Sequence, residues 1–186
     1  MKFTLTKLSL CAAAVLMSSL VHAEKIVNNN ITLDEVKAAQ QAWGNALINI
    51  SNAHEAGGVK AAKSVAKKVL DNAYGYNLGA VLFKPTLANG EQTFRTTYDG
   101  ALSYFVADDK NFAQDSGFAL KGWKEYAFNN AAVYINGDVA LTMGHVHVTD
   151  RSGNKTTVDK TWGFKKAADG SLRIVLHHSS LPYSAN

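Results

Sequence analysis

The chain has 186 residues, with 19 Lys and Arg against 15 Asp and Glu, a formal net charge of +4 and one cysteine. So small a charge excess, with no basic run interleaved with aromatics, excludes nucleic-acid binding on charge grounds. A lone cysteine excludes a disulfide framework and a cysteine metal site.

Lys2 and Lys7 precede an apolar run from Leu8 to Leu20, and Val21-His22-Ala23 supplies small residues at a cleavage site. This is the pattern of a secretory signal peptide over residues 1–23. The apolar run falls short of the roughly 20 residues that a bilayer span needs, and Leu10 before Cys11 does not fit a lipoprotein. Cys11 is expected to leave with the signal, so the mature chain, residues 24–186, is expected to be periplasmic or secreted and to make no membrane contact. Its roughly 160 residues suit a single domain.

Thr32 followed by Glu35 has capping-box spacing, and Leu33, Val36, Ala39, Trp43, Leu47 and Ile50 recur at helical intervals, predicting a helix from about Leu33 to Ala53. Gly57-Gly58 breaks it. A second helix is expected over Val59 to Ala73, with Val65, Val69 and Leu70 on its apolar side, ending in the turn-rich "YGYNLG". "AVLFKPT" reads as a short extended segment stopped at Pro85, and a helical turn is expected around Ala101 to Val106. From Phe118 the chain turns β-rich, with "NGD", "DRSGN" and "ADG" as hairpin turns between strands. Helices first and an antiparallel meander afterwards predict an α+β fold, with N-terminal helices packed on a curved antiparallel sheet that leaves a pocket at its open end.

The last strand ends in "LHHSS". Alternation places Arg173, Val175, His177 and Ser179 on one face, and Ile174, Leu176, His178 and Ser180 on the other. A pocket with a polar base takes His177 and Ser179; the plain structural reading is that all four are buried polar groups bonded to backbone. His145 and His147 share a strand face and form half of a possible zinc site, with His177 or Asp159 as a third ligand. Asp108, Asp109 and Asp115 lack the spacing of a calcium loop. The chain carries no phosphate loop, nucleophile elbow or dinucleotide fingerprint.

"VLFKPT", "FRTTYDGALSYFVADD", "DSGFALKGW", "ALTMGH", "KTWGFKK" and "LRIVLHHSSLPY", in that order, resemble the iota class of carbonic anhydrases, within the SnoaL-like, nuclear-transport-factor-2-like superfamily that includes the calcium/calmodulin-dependent kinase II association domain. The resemblance implies a cone-shaped α+β fold, homodimerisation through the sheet, and reversible hydration of CO2 to bicarbonate. It implies pocket residues Thr86, Tyr104, His177 and Ser179. A neutral histidine can take the proton of an attacking water and hydroxyls can hold the developing charge, so His177 is expected as general base and Thr86, Tyr104 and Ser179 as the groups that bind bicarbonate and orient CO2. The resemblance covers both metal-free members and members that depend on zinc or manganese; no cofactor is expected here, with zinc or manganese as the alternative. Two other readings use the same fold: a non-catalytic module that binds a small molecule or dimerises, and isomerase or cyclase chemistry on a bulkier substrate.

Overall fold

The computed structural model describes residues 28–184, so the expected signal peptide and Cys11 lie outside the described residues. Thr32 caps the first helix as its spacing predicts. The Glu35 N–H donates to Thr32 Oγ1 at 3.2 Å and the Thr32 N–H to Glu35 Oε2 at 2.8 Å, which satisfies donors that the first turn of a helix leaves open. Helix α1 spans Leu33–Ala73 and is bent at Gly57 and Gly58, both non-helical. Gly58 has φ of 68°, a left-handed conformation that glycine adopts without strain, so the expected break is present as a hinge between two limbs.

The first limb buries Val36, Gln40, Trp43, Leu47 and Ile50. Buried Gln40 is satisfied by side-chain exchange with Asn130, donating at 2.8 Å and accepting at 2.9 Å. The second limb corrects the expectation. Its fully buried stripe is Ala62, Ala66 and Leu70, while Val65 and Val69 are only partly buried at its edge. Alanines four apart let this limb approach closely, which bulkier valines would prevent.

Besides three short 3-10 turns, a second helix α2 (Tyr98–Val106) follows, and the strands are β1 (Leu82–Lys84), β2 (Trp123–Asn136), β3 (Val139–Asp150), β4 (Lys155–Lys166) and β5 (Leu172–Ser180). They form one sheet in the order β1-β5-β4-β3-β2. The three predicted turns join β2 to β5 as antiparallel hairpins, whereas β1 pairs with β5 in parallel. The helices cover one face of the sheet. Gly44 lies directly under the Tyr126 ring, where any Cβ would overlap it.

One irregularity decides which side chains reach the interior. Gly163 pairs with Leu176 and Phe164 with Ile174, so Val175 has no partner across the ladder. This bulge resets the alternation of β5. Ile174 therefore shares the buried inner face with His177 and Ser179, rather than facing the other way with His178 as strict alternation predicts. No helix among the described residues is long and apolar enough to cross a membrane.

Candidate active site

The bulge delivers His177 and Ser179 to the inner face, 2% and 1% exposed, and leaves His178 exposed on the other. Parallel pairing sets Phe83 of β1 against His177, and their rings stack with centroids 4.3 Å apart. β1 stops before Pro85, which has no N–H to continue the ladder. The next residue, Thr86, turns its hydroxyl onto that of Ser179, and the two are hydrogen-bonded.

Tyr104 completes the cluster from α2, whose first turn is capped by Thr97 accepting from the Gly100 N–H at 3.2 Å. The Tyr104 ring meets Phe83 edge-on at 5.7 Å and stacks on Phe118 at 5.6 Å. Its hydroxyl accepts from the Leu87 N–H at 3.4 Å. Burial is the main cause that pushes Tyr104 up to about 12, so it is a neutral phenol and a hydrogen-bond donor across the physiological range. Behind it, Arg95 Nη2 donates to Asp115 Oδ1 at 2.8 Å and Ser103 Oγ to Asp115 Oδ2 at 2.7 Å. This buried ion pair fixes α2 against the β1 side, where the Arg95 N–H donates to the Phe83 carbonyl at 2.8 Å.

All four pocket residues expected from the sequence thus converge where β1, β5 and α2 meet. Three more side chains belong to the same region. Trp43 Nε1 donates to the Tyr74 hydroxyl at 2.9 Å, that hydroxyl lies 2.8 Å from His177 Nδ1, and Lys160 Nζ lies 2.6 Å from His177 Nε2. Burial, with the neighbouring Lys160 adding to it, holds His177 well below the usual imidazole range, and burial likewise holds Lys160 well below the usual lysine range. His177 is therefore neutral at physiological pH. Lys160 carried a signal that sequence reading passed over: in "VDKTWGF" it occupies the apolar phase of the strand, between Val158 and Trp162. Trp43 and Tyr74 look like ordinary core aromatics, and nothing in linear spacing joins them to His177.

The other histidines are elsewhere. His145 and His147 lie on the outer face, where His145 Nε2 is 3.3 Å from Asp159 Oδ1. His147 has both ring nitrogens engaged, Nδ1 with Thr157 Oγ1 at 2.8 Å and Nε2 with Asn129 Oδ1 at 3.1 Å. Of the two third ligands considered, Asp159 is beside His145, but His177 is on the opposite face. Among the described residues no group of three or more His, Cys, Asp or Glu is placed to hold a metal ion. Of the acidic residues in the 108–115 loop, Asp108 pairs with Lys63 and Asp115 with Arg95, while Asp109 accepts from the Asn111 N–H at 2.9 Å.

Residues 34–181 match the family described as metal-independent carbonic anhydrase. A metal-independent carbonic anhydrase of Nostoc sp. is 58% identical over 158 residues, which is 85% of this chain and 77% of that protein. The crystal structure of a cyanobacterial iota-carbonic anhydrase in complex with bicarbonate superposes with a TM-score of 0.86 at 56% identity, over 88% of this chain and 99% of that one. A calcium/calmodulin-dependent protein kinase II association domain from Xanthomonas campestris shares the fold, with a TM-score of 0.56 at 23% identity over 88% of this chain and 97% of that one.

Proposed function

This chain belongs to the metal-independent carbonic anhydrases, and from that premise we propose that the cluster of Thr86, Tyr104, Ser179 and His177 is its active site. The protein catalyses the reversible hydration of CO2 to bicarbonate. Family membership also answers the cofactor question, because the family is described as metal-independent; the zinc and manganese alternatives fall away with it. The observation that carries the assignment of the site is the Thr86–Ser179 hydroxyl pair, placed beside a neutral, buried His177 and next to the Tyr104 phenol.

Bulk water, with a pKa of about 15.7, supplies almost no hydroxide at neutral pH, and a metal-free site has no Lewis acid to change that. Here the proton is removed as attack occurs. His177 accepts a proton at Nδ1 by way of the Tyr74 hydroxyl as the water oxygen bonds to the carbon of CO2. The hydroxyls of Thr86, Tyr104 and Ser179 hold the negative charge that develops on the CO2 oxygens, in surroundings dry enough to strengthen each hydrogen bond. Isomerase or cyclase chemistry on a bulky substrate calls for a large apolar cavity at the reacting groups. An apolar cavity of about 310 Å³ does exist, but it is lined by Ala39, Val69, Phe164 and Ile174 and includes none of the four site residues.

Carbon-13 NMR of bicarbonate with the full chain tests the site. Line broadening that is present in the wild type and lost in Ser179→Ala supports it; broadening unchanged in that variant removes Ser179 from the site.

Two further expectations belong to the same reading. The chain is a homodimer through the outer sheet face, a view supported by the exposed apolar side chains Leu141 and Met143 on β3 and Tyr134 on β2. Sedimentation equilibrium checks it, with Met143→Asp expected to give monomers and an unchanged mass contradicting it. The chain is exported and matured after Ala23, supported by the residue pattern of its first 23 positions; an N-terminus other than Glu24 in intact-mass analysis contradicts that.

A further inference from the structure

Four pocket residues suffice for binding and attack, which leaves Lys160 without a role. It is an amine in the protein interior, 4% exposed, with Nζ 4.7 Å from the ring centre of Trp43 and 5.2 Å from that of Trp162. No carboxylate compensates it: among the described residues Lys160 enters no ion pair. Its hydrogen bond is to His177 Nε2.

Donor and acceptor capacities fix the state of this chain of groups. Trp43 Nε1–H can only donate, and it donates to the Tyr74 oxygen. The Tyr74 hydrogen then goes to His177 Nδ1. With Nδ1 accepting, a neutral imidazole carries its hydrogen on Nε2, which donates to Lys160 Nζ, and only an unprotonated amine has a lone pair to receive it. In the free enzyme the reverse direction strands the Tyr74 hydrogen in the interior without an acceptor, a costly arrangement. The downward shifts of Lys160 and His177 on burial act in the same sense.

We propose that Lys160 stores the proton released by hydration: a neutral amine in the free enzyme, it becomes an ammonium as bicarbonate forms, so the enzyme binds bicarbonate together with a proton. The proposal rests on the pocket reading above. The water oxygen bonds to carbon and one of its O–H bonds breaks. That proton bonds to the Tyr74 oxygen while the Tyr74 O–H bond breaks and its hydrogen bonds to His177 Nδ1, so Tyr74 remains a neutral phenol whose new hydrogen has the nascent bicarbonate as its acceptor. The Nε2–H bond breaks, and its hydrogen bonds to Lys160 Nζ. The products are bicarbonate and the Lys160 ammonium, and the imidazole ends neutral with its hydrogen on Nδ1; no other reactant enters.

The anion and the cation thus arise together and close by, since Lys160 is the cross-strand partner of Ser179 and both side chains are buried on the inner face. The other titratable groups facing this region are Tyr74, which caps the C-terminus of α1, and Tyr104 from α2, both raised by burial and neutral. Lys84 from β1 donates to the Ser179 carbonyl at 3.1 Å, and His178 and Asp159 lie on the outer face. Lys160 acts through His177 and is a positioning residue.

Calorimetric titration of the full chain with pre-equilibrated bicarbonate, in two buffers of different ionisation enthalpy, counts the protons. The expected result near neutral pH is uptake of about one proton per bicarbonate. In Lys160→Met, which fills the space between the two tryptophans without an amine, uptake falls to near zero, and kcat falls about tenfold or more with KM little changed. The wild type gives a second reading that needs no variant: the nitrogen-15 resonance of Lys160 is that of an amine in the free enzyme and of an ammonium with bicarbonate. Bicarbonate binding without proton uptake, uptake unchanged in Lys160→Met, or an ammonium already present in the free enzyme overturns the proposal while leaving the pocket reading intact. Failure of the wild type to bind bicarbonate overturns both.

Discussion

His177 and His178 are neighbours in sequence, yet one is 2% exposed within a chain of hydrogen bonds and the other faces out from the sheet. The same division runs across β3 and β4, where the outer face shows His145, His147 and Asp159 and the inner face buries Lys160 and Trp162. The outer face carries more ionisable groups, the inner face fewer but with shifted acidities. The proposed chemistry uses the second, because a group held away from its ordinary protonation state in a dry site does what the same group in water cannot.

The sharpest way to break this contrast is to remove the inner hydroxyls. Thr86→Val with Ser179→Ala is expected to lower kcat for CO2 hydration by about 10²-fold or more, the usual consequence of losing donors to a developing oxyanion. His177→Ala is expected to cost about a hundredfold, as loss of a general base does, whereas His178→Ala leaves the rate within about a factor of two. Stopped-flow assays read all of these, and a loss of only a few-fold in His177→Ala contradicts its assigned role.

Asp115→Ala is expected to destabilise by about 3–5 kcal/mol, because it strands a buried guanidinium. Arg95 already has Nε and Nη1 without partners, so nothing nearby takes up the lost bond; urea unfolding measures the change.

Lys160 makes a prediction about pH. Unfolded, it is charged below its usual pKa of about 10.4; folded, burial holds it neutral to well below that. The unfolded state therefore binds one more proton, so stability rises with pH across that window and is lost as pH falls. The slope from this group is about 1.4 kcal/mol per pH unit. Lys160→Met is expected to remove that slope between neutral pH and about pH 9 and to be the more stable protein at neutral pH; equal slopes in the two proteins contradict a neutral Lys160. The smallest effects belong to the outer face, where His145→Ala and His147→Ala are expected to change stability by about 0.5 kcal/mol or less and activity not at all.

Much of the fold is legible in the sequence for local reasons. The Thr32–Glu35 box, the Gly57-Gly58 break and the three hairpin turns each depend on residues within a few positions of one another. Alternation along the last strand pairs His177 with Ser179, whereas Thr86 and Tyr104 come from a resemblance that spacing does not supply; the structure brings the four together. What was missed is non-local. The bulge at Val175 is visible only in its pairing with β4, and it moves Ile174 to the inner face. The parallel pairing of β1 with β5 joins Phe83 to His177 across most of the chain, and the bonds from Trp43 and Lys160 toward His177 span three elements.

The most direct test of the inner-face account is stopped-flow CO2 hydration by chelated, metal-free protein, run beside the Thr86→Val, Ser179→Ala double variant. The account predicts full activity after chelation and its loss in the double variant. Activity that disappears with chelation, or that survives in the double variant, would contradict it.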